Sequence, residues 1–241
     1  MTGHDLGTAD GLALVGALID GGAALRGWLV EDNLTALGFE SASALGSQRL
    51  VVGPGGRPFS AEYRFEVWQA PGRGRVVWFS LDSEIPHMST IVACVCVPCE
   101  GAGLPLFVMN LNLKLKAGTF NTIIGYRGEP ALVAPFRGLF SDSAVTPALE
   151  KANPRTFEGV RRMFWLRRTP VDWSLELARR CLSRWLGPVA ACPPDSTRPL
   201  INDERYSQEM ITLHTREGGG VYDAVFGPGW LSQLFRDRVF E

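Results

Sequence analysis

Four residues in the stretch "LPLFVMNLNLKLK" (104–116) could hold a polar ligand. Asn110, Asn112, Lys114 and Lys116 stand at every second position, with Met109, Leu111, Leu113 and Leu115 between them. Period-two alternation puts the four polar residues on one face of a strand. The amides supply donors and acceptors, and the ammonium groups supply cations for carboxylates. Asn is depleted in strands. The pattern therefore reads either as a half-exposed strand with its amides in water or as a face turned toward something bound. Lys114 and Lys116 also suit the protection of a sheet edge against aggregation.

Other chemistry-bearing residues are sparse. His4, His87 and His214 are the only histidines, too few for a three-histidine metal site and a poor basis for a catalytic triad. The run "CVCVPC" places Cys94, Cys96 and Cys99 close together, with Cys181 and Cys192 far along the chain. Zinc and iron–sulfur sites want four ligands, usually as two close pairs, and no second pair exists. Buried thiols acting as small apolar groups are the competing reading. No phosphate-binding loop, dinucleotide fingerprint, zinc-protease motif or nucleophile elbow is present. The expectation is that no flavin, nicotinamide or metal is bound.

The elements that must position these residues follow from periodicity. In 241 residues, 24 Lys and Arg balance 25 Asp and Glu, which gives no electrostatic argument for nucleic acid or an anionic membrane surface. No apolar run is expected to reach the length of a spanning helix, and no signal peptide is read at the start, so a cytoplasmic location is expected. Residues 9–30 read as one amphipathic helix or two, with a break at Gly21-Gly22. "SQRLVV" reads as a short strand. Strands are then expected over 58–69, 74–82, 89–98, 104–116 and 119–127, on short connections that favour antiparallel pairing. Helices are expected over 129–152, over 172–186 with Asp172 as N-cap and Gly187-Pro188 as stop, and near the C-terminus. A meander of five or six strands followed by helices is α+β, one domain over 1–241. Trp165, Trp173, Trp185 and Trp230 read as core aromatics. The run "RRMFWLRR" (161–168) reads as a solvated basic face.

The segment "ERYSQEMITLHTREGGGVYDAVFGPGWLSQLFRDRVFE" resembles the end of the ferredoxin-dependent bilin reductases, through Tyr206, Phe226-Gly227, Trp230 and the closing "VFE". A second likeness lies in "VPCEGAGLPLFVMN", through Pro98, Leu104, Pro105, Phe107 and Asn110, and a third in "EVWQAP" (66–71). The resemblance spans roughly residues 60–241, with its motifs in family order. It implies an α/β/α sandwich with a central antiparallel sheet. It also implies an open-chain tetrapyrrole such as biliverdin held between that sheet and the C-terminal helices, with Asn110 beside the pyrrole nitrogens. Electrons would come singly from reduced ferredoxin, and the protein would bind no cofactor of its own. Red chlorophyll catabolite reductase is a close neighbour within this reading.

Carried over residue by residue, the resemblance implies catalytic places at Asn110 and, in the loop "HTREGGG", at His214 and Glu217. Substrate-binding places fall at Asn112, Lys114, Ala93, Phe79 or Ser80 according to register, and Arg216. Ala93 stands where phycocyanobilin-forming members carry His, Phe79 or Ser80 where they carry Glu, and Arg216 where other members carry a loop Asp. A neutral Asn cannot act as a general acid. Further proton donors in this reading are Glu66, Asp82, His87 and water. Arg161, Arg162, Arg167 and Arg168 could meet the substrate carboxylates or dock an acidic donor such as ferredoxin. Three readings result: a reductase of a linear tetrapyrrole or similar conjugated molecule, a tetrapyrrole-binding protein without catalysis, and an α+β domain of other purpose.

Overall fold

The computed structural model describes residues 9–52, 58–83, 89–114, 119–140, 163–167, 170–194, 198–201, 227–234 and 237. Seven strands form one sheet in sequence order, every neighbouring pair antiparallel. They are β1 (Glu40–Val52), β2 (Pro58–Ala70), β3 (Gly74–Ser83), β4 (Ser89–Pro98), β5 (Leu106–Lys114), β6 (Thr119–Arg127) and β7 (Met163–Arg167). The α+β class holds, and the strands at 89–98 and 119–127 match expectation to the residue. The meander is longer than the five or six strands expected. β1 has 13 residues rather than a short piece around 47–52, and part of "RRMFWLRR" is the edge strand β7.

Both faces of the sheet are apolar. On the first, Val76, Trp78, Val92, Cys94, Phe107, Met109, Leu111 and Tyr126 are buried against helices. Those helices are α1 (Ala9–Gly27), its π-helical continuation Trp28–Leu34, α2 (Pro130–Val133) with a 3₁₀ extension Ala134–Phe140, and α3 (Val171–Ala191). On the second face Phe65, Val67, Val77, Phe79, Val95, Val108 and Ile123 are also buried. A strand apolar on both sides needs cover on both sides. Among the described residues the second face is met by α4 (Trp230–Leu234), whose Trp230 packs on Tyr63 and Phe79.

α3 is fastened to the sheet by buried polar atoms as well as by packing. Trp185 Nε1 donates to the Pro105 carbonyl at 2.8 Å, and the Tyr126 hydroxyl donates to the Cys181 carbonyl at 2.7 Å. Leaving either acceptor without its donor would cost on the order of 1–3 kcal/mol. The helix begins at Val171 with Pro170 as N-cap, so Asp172 lies in the first turn and makes no capping bond. There it still favours the positive end of the helix dipole. Gly187-Pro188 does not end the helix, which runs on to Ala191. Burial of Val189 and of Cys192 just beyond carries the last turn past the proline.

Gly21-Gly22 is not a break: α1 is continuous through both. The pair is small because its neighbours are close. A Cβ on Gly22 would lie 2.6 Å from Val92 Cγ2, and one on Gly21 would lie 2.2 Å from Leu175 Cδ1. The glycines let α1 lie against β4 and α3 together. Reading them as a break also split the apolar run. As one unit, Gly11–Leu34 is long and apolar enough to cross a membrane by length and composition, with mean hydropathy 1.4. Leu18, Leu25, Leu29 and Leu34 of this stretch are buried in the helical face of the core.

The five cysteines are free and buried. Cys94 and Cys96 share the helical face, as their spacing requires, with sulfurs 3.8 Å apart in the apolar core. Burial pushes the Cys96 thiol up, and pushes Cys181 up to about 12.

Two outcomes follow for stability. Gly22→Ala should destabilise by about 1–3 kcal/mol through overpacking on Val92. Gly16→Ala, where a Cβ meets nothing within 4 Å, should stabilise by about 0.5–1 kcal/mol. Urea melts of the pair test the contact, and equal effects at both sites would refute it. The thiol of Cys181 is an acid whose folded pKa lies above its unfolded value of 9.0. Its contribution is complete below pH 9 and is lost as pH rises from 9 toward about 12. The slope is about 1.4 kcal/mol per pH unit for one group. Unfolding free energy measured between pH 8 and pH 11 should fall, and should fall less steeply in Cys181→Ala.

Candidate functional site

The register of the sheet decides which polar residues meet. Phe65 pairs with Phe79, Phe79 with Ala93, Ala93 with Asn110, and Asn110 with Ile123. Directly opposed residues on paired strands stand on the same face. One row across four strand pairs therefore joins Asn110, Ala93 and Phe79 on the second face. Asn110 is only 5% exposed, so its amide does not look into water. Its Oδ1 accepts from Asn112 Nδ2 at 3.2 Å, and Asn112 is half-buried beside Ile91 and Asn121. Lys114 falls on the same face by register.

Ala93 is the exception in this row. Ile91, Val95 and Val97 on the same side of β4 are buried, whereas Ala93 is only half-buried. Ala93 is the small side chain between an aromatic ring, Phe79, and a primary amide, Asn110. Trp230 stands near it, its ring 6.3 Å from Tyr63 at 76° and 6.5 Å from Phe79 at 48°.

Several expected members are elsewhere. Of the Phe79/Ser80 alternatives, Phe79 shares the face of Asn110, and Ser80 points to the helical face, opposite Val92. Glu66 and Asp82 are also on the helical face and cannot serve as proton donors beside Asn110. Glu66 is held by Arg26, and Asp82 accepts from Thr90. Side-chain alternation along one strand separates these carboxylates from Asn110 by the thickness of the sheet. His214, Arg216, Glu217, His87, Lys116, Arg161, Arg162 and Arg168 lie outside the described residues.

Two arginines that the sequence reading passed over stand on the same face. Arg75 pairs with Val97 and Arg127 with Leu106, both at the opposite end of the sheet from Asn112, and each is 8% exposed. Four residues of strand, about 13 Å, separate Asn110 from their row. Burial lowers the pKa of Arg75, which stays charged, and its Nη2 donates to Gln69 Oε1 at 3.1 Å. The signal was in the sequence. Arg75, Val77 and Phe79 are in phase, as are Ile123, Gly125 and Arg127, and the intervening residues are also apolar. A charge within a strand apolar on both sides is buried and demands a partner, which both arginines have.

The assembled face has an apolar floor of Val77, Val95 and Val108. The amides and half-buried Ala93 lie toward one end, with buried guanidiniums at the other. It can hold a flat apolar body with acceptors at one edge and an anionic group at another. No family model matches the chain, and no curated protein matches it.

Truncating Trp230 tests the cover of this face. Trp230→Ala should cost about 1–3 kcal/mol, less than a fully buried ring, because Trp230 is only half-buried. Trp230→Phe should recover most of the loss. A shift in urea midpoint measures both, and an unchanged midpoint in Trp230→Ala would show that the ring does not stabilise the face.

Proposed function

We propose that the chain is a ferredoxin-dependent reductase of a linear tetrapyrrole, or of a similarly flat conjugated molecule, seated on the second face of the sheet. The observation that carries the reading is the half-buried Ala93 between buried Phe79 and buried Asn110. A polar residue buried on an apolar sheet, next to a small half-buried side chain, has features of a ligand site. Phe79 offers a ring to stack on the conjugated body, and Asn110 offers donor and acceptor atoms to its nitrogens and carbonyls. Arg75 and Arg127 offer charge-assisted bonds to carboxylates. Electrons would arrive singly from an iron–sulfur donor, and the protein would orient the substrate and deliver protons. The proton donors in this proposal are His214 and Glu217, carried over from the resemblance.

A second reading has its own support. Among the described residues of β2 to β6, the side of the sheet that bears Asn110 has no carboxylate and no imidazole. Such a face suits a protein that binds the molecule and leaves it unchanged.

The test is an anaerobic assay with biliverdin, reduced ferredoxin and its reductase, followed by absorbance from the near ultraviolet to the far red. A reductase should give a bound spectrum that bleaches or shifts as electrons are supplied. Asn110→Leu should lower turnover by about 5- to 30-fold, the loss of one or two kcal/mol of placed polar contact. Ala93→Phe should place a bulky ring between Phe79 and Asn110 and prevent binding while the fold is kept. A bound spectrum that electrons do not change selects the binding protein. No bound spectrum with biliverdin sinks the biliverdin reading.

A further inference from the structure

A separate cleft of about 220 Å³ lies on the helical face, between α1 and strands β2 to β4. It rests on none of the reading for the opposite face. The sheet residues that line it belong to three short rows, in which Glu66 stands beside the cleft and not in its lining. Glu62 pairs with Asp82, Arg64 pairs with Ser80, and Glu66 pairs with Trp78. The roof is α1, brought close by Gly22 and Ala23, with Arg26 at one end.

The charges in this cleft are not mutually satisfied. Glu66 is saturated: Arg26 Nε donates to its Oε2 at 2.7 Å and Arg26 Nη2 to its Oε1 at 2.8 Å. Among the described residues Arg64 reaches an already occupied oxygen of Glu66, at 3.9 Å, and its side chain is 55% exposed at the mouth. Glu62 and Asp82 face one another across β2 and β3, and among the described residues neither forms an ion pair. Asp82 Oδ1 accepts from buried Thr90 at 3.2 Å, which fixes the carboxylate over the floor. Like charges directly opposed on paired strands are unfavourable. The guanidinium that could relieve them is one strand step away, about 6.6 Å along β2. Among the described residues, two carboxylates without an ion pair and one guanidinium with a single long contact thus share a small cleft.

We propose that this cleft binds a small zwitterion, a short ω-amino acid or a molecule of that chemistry. Its ammonium lies between Glu62 and Asp82, and its carboxylate lies on Arg64, with the Ser80 hydroxyl beneath. The methylene chain rests on Val92 and Ile19. A single-charge ligand would satisfy one end and leave the other as it stands. A ligand carrying both charges satisfies both, which is the source of selectivity.

Titration calorimetry at low salt tests the assignment, with 4-aminobutanoate as probe and butylamine and butanoate as single-charge controls. The zwitterion should bind about tenfold tighter, or more, than either control. Arg64→Gln should reduce 4-aminobutanoate to the affinity of butylamine. Asp82→Asn, which keeps the acceptor for Thr90, should reduce it toward that of butanoate. Thermal melts of both variants should stay close to the parent, since Arg64 is at the surface and the Thr90 bond is retained. Absence of binding by 4-aminobutanoate overturns the proposal. Equal binding by either control, or binding that survives both substitutions, overturns it as well.

Discussion

The register of the seven strands is the constraint on which the rest depends. Trp78, Cys94, Met109 and Ile124 are opposed in turn and buried on the helical face. A slip of one residue in β5 would turn Met109 and Leu111 away from the helices and drive Asn110 and Asn112 into their core. Each amide buried without a partner costs on the order of 1–3 kcal/mol, and each lost apolar contact adds to it. The same lock that holds the core thus aims Asn110 at Phe79 and Ala93. It also puts Phe79 and Ser80 on opposite faces, and no shift of a single strand changes that without dismantling the layer.

α1 depends on that lock in its turn. Its glycines fit against Val92 and Leu175, so the helix can approach the sheet only where β4 and α3 present those side chains. The close approach desolvates Glu66 and Arg26 together. Removing one partner of such a pair is worse than having neither, because a charge is left without its counterion. The Glu66 hydrogen bond is the largest influence holding Arg26 protonated. Arg73 adds a second clamp from the β2–β3 turn, donating to the Leu37 and Cys192 carbonyls. The end of the first helical unit, the turn and the end of α3 are thereby held at one corner of the sheet.

Much of this was legible in the sequence. Period-two alternation gave the strands from 58 to 127, because short connections and β-branched residues agree there. β7 was hidden because four apolar residues between pairs of arginines carry too little periodicity to distinguish a strand from a solvated face. The continuity of α1 was hidden because glycine lowers helix propensity whether or not a neighbour requires it. Val92 and Leu175, distant in sequence, supplied the reason. In the candidate site, the alternation correctly set Asn110 and Asn112 on one face. What it could not give was the cover of that face, which turned an apparently wet strand into a buried one. Arg75 and Arg127 were legible in principle, since each is in phase with buried apolar residues.

The two faces also divide the charge. The helical face holds Glu62 and Asp82 in the cleft beneath α1 and Glu66 beside it on Arg26, whereas the face of Asn110 carries Arg75, Arg127 and amides. On the proposed reading this matters for the order of events. A conjugated molecule that accepts an electron gains negative charge, and nearby guanidiniums stabilise it. The same positive charge lowers the proton affinity of the reduced molecule. A face of arginines and amides therefore eases electron uptake and hinders protonation. A reductase built on this sheet must bring an acid from outside it, which gives the loop of His214 and Glu217 its weight in the proposal. A binding protein has no such need, and for it the same face is complete as it stands.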